Sequence, residues 1–147
     1  MKRTAASADY LDLARLVLRL SRHLTRTFDE ALGPGYGLAT KDFLALRVMQ
    51  GGEKYPGGIA EYLNMPPASV SRVLERLESK GFIVRSVDPQ DHRRFRLEVT
   101  AAGATAAEAI RGLMRETLNR SYAHVSASTL RAAIEELTTL NEALEAR

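Results

Sequence analysis

Residues 82–100 read FIVRSVDPQDHRRFRLEVT, two apolar-rich runs around a polar centre, and how they are read decides the fold. Phe95, Leu97 and Val99 alternate with Arg96 and Glu98, the period of two of a half-buried strand. FIVRSV before the polar centre is strand-like as well. Asp88, Pro89 and Asp91 supply the bend that a tight connection needs. A hairpin follows from this. His92, Arg93 and Arg94 are surplus to turn geometry, so a partner outside the chain is the expected reason for cations at a hairpin tip.

Immediately upstream, PASVSRVLERLESK (67–80) predicts a helix that proline can open and Gly81 can close. Val70, Leu74 and Leu77 fall at i, i+4 and i+7 with Val73 beside them, which marks the buried face. Ser69, Arg72 and Arg76 take another face. A recognition helix offers its N-terminal residues to the major groove, and Ala68, Ser69, Ser71 and Arg72 hold that place. Arg72 and Arg76 could fork onto guanine or hold phosphates. Taken alone, the same face also reads as the solvated side of an amphipathic helix, since Glu75 and Glu78 share it. The neighbouring hairpin tips the balance, because Arg93 or Arg94 there suits the negative potential of a narrow minor groove. Asp91 is expected to pair with one of these arginines, and Asp88 to help build the turn.

Farther out, Leu13, Leu16, Val17, Leu20, Leu24 and Phe28 predict a first helix over 8–32, with Arg15, Arg19, Arg22 and Arg26 on a separate stripe. GPGYG (33–37) is expected to end it. Thr40 is the expected N-cap of a helix KDFLALRVMQ, with Phe43, Leu44, Leu46 and Val48 as its apolar positions. GGEKYPGG (51–58) reads as a loop, and IAEYLNM (59–65) as a short helix. Thr100 should cap an Ala-rich helix, 101–122, and a last helix should begin near Ser128. There Leu130, Ile134, Leu137, Asn141 and Leu144 follow a 3.5-residue seam. The fold class is therefore mainly α with a small β-hairpin: a winged helix-turn-helix over 38–100, flanked by long terminal helices at 8–32 and 101–147. One domain, 1–147, is expected. The apolar stripes of the terminal helices exceed what a winged helix alone can bury, so a second copy is expected to cover them.

The run SVSRVLERLESKGFIVRSVDPQDHRRFRLEVTAAG (69–103) resembles the MarR family of bacterial transcriptional regulators. The resemblance is carried by Leu77, Glu78 and Gly81, then Asp88, Pro89, Asp91 and Arg93, then Leu97, Thr100 and Gly103. It implies a homodimer with intertwined terminal helices and two winged helices on a pseudo-palindromic operator in double-stranded DNA. It further implies a repressor more often than an activator, released by a small, often aromatic or anionic, effector. One departure stands out: His92 occupies the place of the family's usual first wing arginine. The family's effector cavity lies between the dimerisation helices and the winged helix, where His23, Tyr36, Phe43 and Arg47 are candidates here.

Other chemistry finds little support. The chain has no cysteine, which excludes disulfides, thiolate metal sites and thiol-based redox sensing. His23, His92 and His124 share no metal-ligand spacing, so no metal is expected. GGEKYPGG lacks the Gly-Lys-Ser/Thr of a phosphate loop, and no nucleophile–base pair points to an enzyme or cofactor. Arg15, Arg19 and Arg22 interrupt the Leu-rich N-terminal stretch, so neither an export signal nor a membrane span is expected, and the location would be cytoplasmic. The competing expectation is a winged-helix protein-interaction module without DNA binding, which would want an apolar or acidic outer face on the fourth helix.

Overall fold

The computed structural model describes residues 7–146. The elements run α1 (Ser7–Tyr36), α2 (Thr40–Gln50), α3 (Pro56–Tyr62), α4 (Pro67–Ser79), β1 (Ile83–Val87), β2 (Phe95–Val99), α5 (Ala101–Ser121) and α6 (Ala127–Glu145). They fall into two compact units divided between Thr117 and Leu118. Among the described residues, no helix is long and apolar enough to cross a membrane.

In the first unit the core gathers one face from each element. Leu32 and Leu38 meet Phe43, Ala45, Leu46 and Met49 of α2, Ile59 of α3, and Val70, Val73, Leu74 and Leu77 of α4. Ile83, Leu97, Ala107, Ile110 and Met114 complete it. Each large side chain so buried contributes about 1.5–3 kcal/mol, and α4 supplies its four at the spacing that fixes which side faces out. Within α2 the buried set differs from the expected one: Ala45 and Met49 go inside, while Leu44 is 44% exposed.

The helix ends depart from expectation for local reasons. Gly33, Pro34 and Gly35 do not stop α1, which continues to Tyr36. Pro34 removes only one hydrogen bond, near the helix end, while Leu32 and Tyr36 anchor the last turn on the core. The stop comes at Gly37, at φ 59°, whose N–H reaches the Gly33 carbonyl at 2.9 Å. Thr40 lies inside α2, and Ala39 is the N-cap. The capping work is split between two carboxylates: Asp42 Oδ2 accepts the Ala39 N–H at 2.8 Å. Asp29 Oδ1 of α1 accepts both the Thr40 N–H and its hydroxyl, each at 2.6 Å. The third helix begins three residues earlier than expected, at Pro56, because proline suits the first turn and Gly57 and Gly58 are carried into the helix behind it.

β1 and β2 pair antiparallel, with Ile83 opposite Val99 and Val87 opposite Phe95. Only Ile83 and Leu97 are buried, so the hairpin projects from the body as a wing. The Leu97 N–H donates to the Lys54 carbonyl at 2.8 Å, tying the α2–α3 connection to the wing's second strand. Thr100 caps α5 as expected, accepting the Gly103 N–H at 3.0 Å while its hydroxyl donates to the Gly81 carbonyl at 2.6 Å. The second unit holds the end of α5 and α6. Ser126 caps α6 by accepting the Thr129 N–H at 3.1 Å, and α6 has no buried residue.

Candidate nucleic-acid interface

The outer face of α4 carries small and cationic side chains. Ala68, Ser71 and Arg72 are exposed and Ser69 is half-buried. Arg72 makes no ion pair or side-chain hydrogen bond among the described residues, so its guanidinium is available to a ligand. Arg76 is different. Its Nη2 donates to Asp42 Oδ1 at 2.6 Å and its Nε lies 3.1–3.2 Å from both carboxylate oxygens. Asp42 is completely buried, whereas the Arg76 side chain keeps 38% of its surface. The Asp42 hydrogen bond raises the Arg76 pKa against a smaller opposing effect of burial. The sequence places Arg76 on the outer face with Ser69 and Arg72. The structure commits most of its fork inward, because a buried carboxylate on α2 requires a counter-charge.

The wing is built around Asp88, only 4% exposed. Its Oδ2 accepts the Tyr55 hydroxyl at 2.5 Å, and its Oδ1 accepts the Gln90 N–H at 2.8 Å and the Asp91 N–H at 3.4 Å. The Tyr55 hydrogen bond first, and the Gln90 N–H second, hold the Asp88 carboxyl below its ordinary pKa despite desolvation. The same bond raises the Tyr55 phenol, which keeps its proton. Asp88 N–H donates to the Arg94 carbonyl at 3.0 Å, closing the loop 88–94.

Among the described residues Asp91 does not pair with an arginine side chain. Its Oδ1 accepts the Arg93 backbone N–H at 3.1 Å, and its carbonyl accepts the Arg94 N–H at 2.9 Å, so it fixes the turn through the backbone. Arg94 is also not a free tip residue: its guanidinium lies 4.0 Å from the centre of the Tyr55 ring. Arg85 Nε pairs with Glu78 Oε2 at 3.0 Å, joining β1 to the end of α4. Arg96 Nε lies 3.4 Å from Glu98 Oε1, close enough to attract but misaligned for a hydrogen bond. His92 and Arg93 are left exposed at the tip, with no side-chain partner among the described residues.

Tyr55 is the residue that sequence reasoning missed. The clue was an aromatic ring inside an otherwise Gly-, Pro- and charge-rich loop, where a solvated connection has no use for one.

The four effector candidates differ in their surroundings. His23 is exposed on α1, Tyr36 is half-buried against the core, and Phe43 is a core residue at 7% exposure. Arg47 is exposed, donates to Gln50 Oε1 at 3.1 Å, and borders a cleft between α2 and α3 with Leu44, Val48 and Tyr62. A separate groove of about 300 Å³ runs along α1 and α2, lined by Val17, Leu20, Leu24, Phe28, Thr40 and Leu44.

Known proteins share both sequence and architecture with this chain. A family model for the MarR family matches residues 36–94. An uncharacterised HTH-type transcriptional regulator of Mycobacterium bovis is 31% identical over 118 residues, 75% of this chain and 79% of that protein. One from Mycobacterium leprae is 30% identical over 108 residues, 73% of this chain and 72% of that protein. Among solved structures, the transcriptional regulator BldR of Sulfolobus solfataricus superposes with a TM-score of 0.84 at 21% identity, over 98% of this chain and all of that one. A mutant MarR of E. coli complexed with operator DNA does so at 0.75 and 21%, over 93% of this chain and 99% of that one. A helix-turn-helix with a projecting wing defines the winged-helix fold, and the relatives at 30% identity or more are transcriptional regulators. The chain belongs to the MarR family of HTH-type transcriptional regulators.

Proposed function

We propose that the protein is a dimeric repressor that binds a pseudo-palindromic operator and is released by a small aromatic or anionic molecule. The observation that carries the DNA part is the pair of uncommitted arginines in one compact unit, Arg72 on the exposed side of α4 and Arg93 at the wing tip. Arg72, with Ala68, Ser69 and Ser71, would face base edges and phosphates in the major groove. Arg93, with His92 beside it, would enter the flanking minor groove. A protein-interaction surface would favour apolar or acidic residues where α4 presents Ser71 and Arg72.

Dimerisation is supported by apolar side chains that the single chain leaves in water: Leu11 and Leu18 on α1, and Leu130, Ile134 and Leu144 on α6. Effector release draws on the α1–α2 groove, whose apolar lining suits an aromatic ring. Selection of duplexes from a random-sequence library tests the reading. Enriched sequences should be inverted repeats with half-site centres about 10 base pairs apart. Single unrepeated sites would contradict the dimer, and no enrichment would contradict DNA binding.

A further inference from the structure

We infer that Tyr55 is a positioning residue for the DNA contact: it never touches DNA, but it sets the wing so that Arg93 can. The inference rests on the DNA-binding reading above and names a part of the site that the recognition helix and wing tip do not contain. Three contacts converge on two consecutive residues of the α2–α3 connection. The Lys54 carbonyl accepts the Leu97 N–H, the Tyr55 hydroxyl donates to Asp88, and the Tyr55 ring lies beneath the Arg94 guanidinium. They hold β2 and both ends of the loop 88–94. Tyr55 is itself the N-cap of α3, and its carbonyl accepts the N–H of the buried Ile59 at 3.2 Å, so its backbone is fixed to the body.

Beyond Ile83 and Leu97 no apolar side chain of the two strands is fully buried, so apolar packing does not hold the hairpin's outer half. A two-stranded hairpin on its own is marginal in water, so polar contacts supply the orientation: the Arg85–Glu78 pair at β1 and the contacts at Tyr55 at β2 and the loop. The arrangement also divides the labour of the adjacent arginines: Arg94 is retained over the ring as part of the mount, and Arg93 is presented. The phenol is suited to the task, because its raised pKa keeps it a donor and Asp88, ionised, is an acceptor only.

The test is a double-mutant cycle between Tyr55→Phe and Arg93→Ala, read as affinity for a duplex selected by the wild-type protein from a random-sequence library. Tyr55→Phe keeps the ring under Arg94 and removes only the hydroxyl. It should weaken binding about tenfold, the scale of one hydrogen bond to a charged group. In the Arg93→Ala background the same change should cost less than about twofold, because there is no contact left to position. Asp88→Ser removes the acceptor from the opposite side and should repeat the pattern, which provides the readout if the Tyr55 variant unfolds. Equal losses in both backgrounds, or wild-type affinity for Tyr55→Phe, would overturn the inference alone. Failure of the wild-type chain to select any duplex would overturn the DNA-binding reading and this inference with it.

Discussion

Arg72 and Arg76 lie one helical turn apart and look equivalent in the sequence, yet only one is free. The difference is Asp42, thirty-odd positions upstream, whose carboxylate is wholly buried and draws the Arg76 fork inward. No local pattern announces such a pairing, because it depends on how α2 and α4 cross. Loss of the two partners should not be symmetrical. Arg76→Ala strands a buried carboxylate and should cost about 2–3 kcal/mol, below the full range for a wholly buried pair because Arg76 is partly solvated. Asp42→Asn keeps an oxygen for the Ala39 N–H and leaves an arginine that can turn to water, and should cost roughly half as much. Urea unfolding of both variants checks this; equal losses would show that the carboxylate is not the strained partner. The Arg94–Tyr55 contact is equally hidden in the sequence, because the two residues lie far apart along the chain.

Periodicity located the six helices and two strands of the described residues, since amphipathic spacing and strand alternation are local properties. It failed at the ends, where tertiary anchoring overrules turn chemistry: α1 runs through GPG, and α3 absorbs Gly57 and Gly58. The joint between wing and α5 was legible only as Thr100 and Gly103, not as the contact that makes the glycine necessary. A Cβ at Gly103 would lie 2.1 Å from the Phe82 carbonyl oxygen, a backbone atom that the hydrogen bond from the Thr100 N–H at 3.0 Å holds in place. Gly103→Ala should therefore destabilise the protein by roughly 1–3 kcal/mol, as overpacking does, although alanine favours helix. Thermal unfolding is the check, and a stabilised variant would mean that the joint yields freely.

The molecule combines a well-buried winged helix with apolar residues on α1 and α6, Leu11, Leu18, Leu130, Ile134 and Leu144 among them, that remain in solvent. That contrast was readable from the stripes of α1 and α6, because a surplus of apolar surface is a matter of composition and spacing. His23, Tyr36, Phe43 and Arg47 rest on likeness to a family, because no local pattern marks a cavity, and their surroundings differ: surface for His23, core for Tyr36 and Phe43, a cleft for Arg47. The net charge of +3 is small, so attraction to DNA must come from placement of a few uncommitted cations. Each phosphate they neutralise releases counterions, and the logarithm of affinity then falls linearly with the logarithm of salt concentration. The most direct measurement is a salt titration of binding to a selected duplex, wild type against Arg93→Ala. The predicted result is a steep fall with salt for the wild type and, for the variant, weaker binding with a slope shallower by about one for each Arg93 lost. Affinity that does not change with salt, or identical lines for the two proteins, would contradict the account.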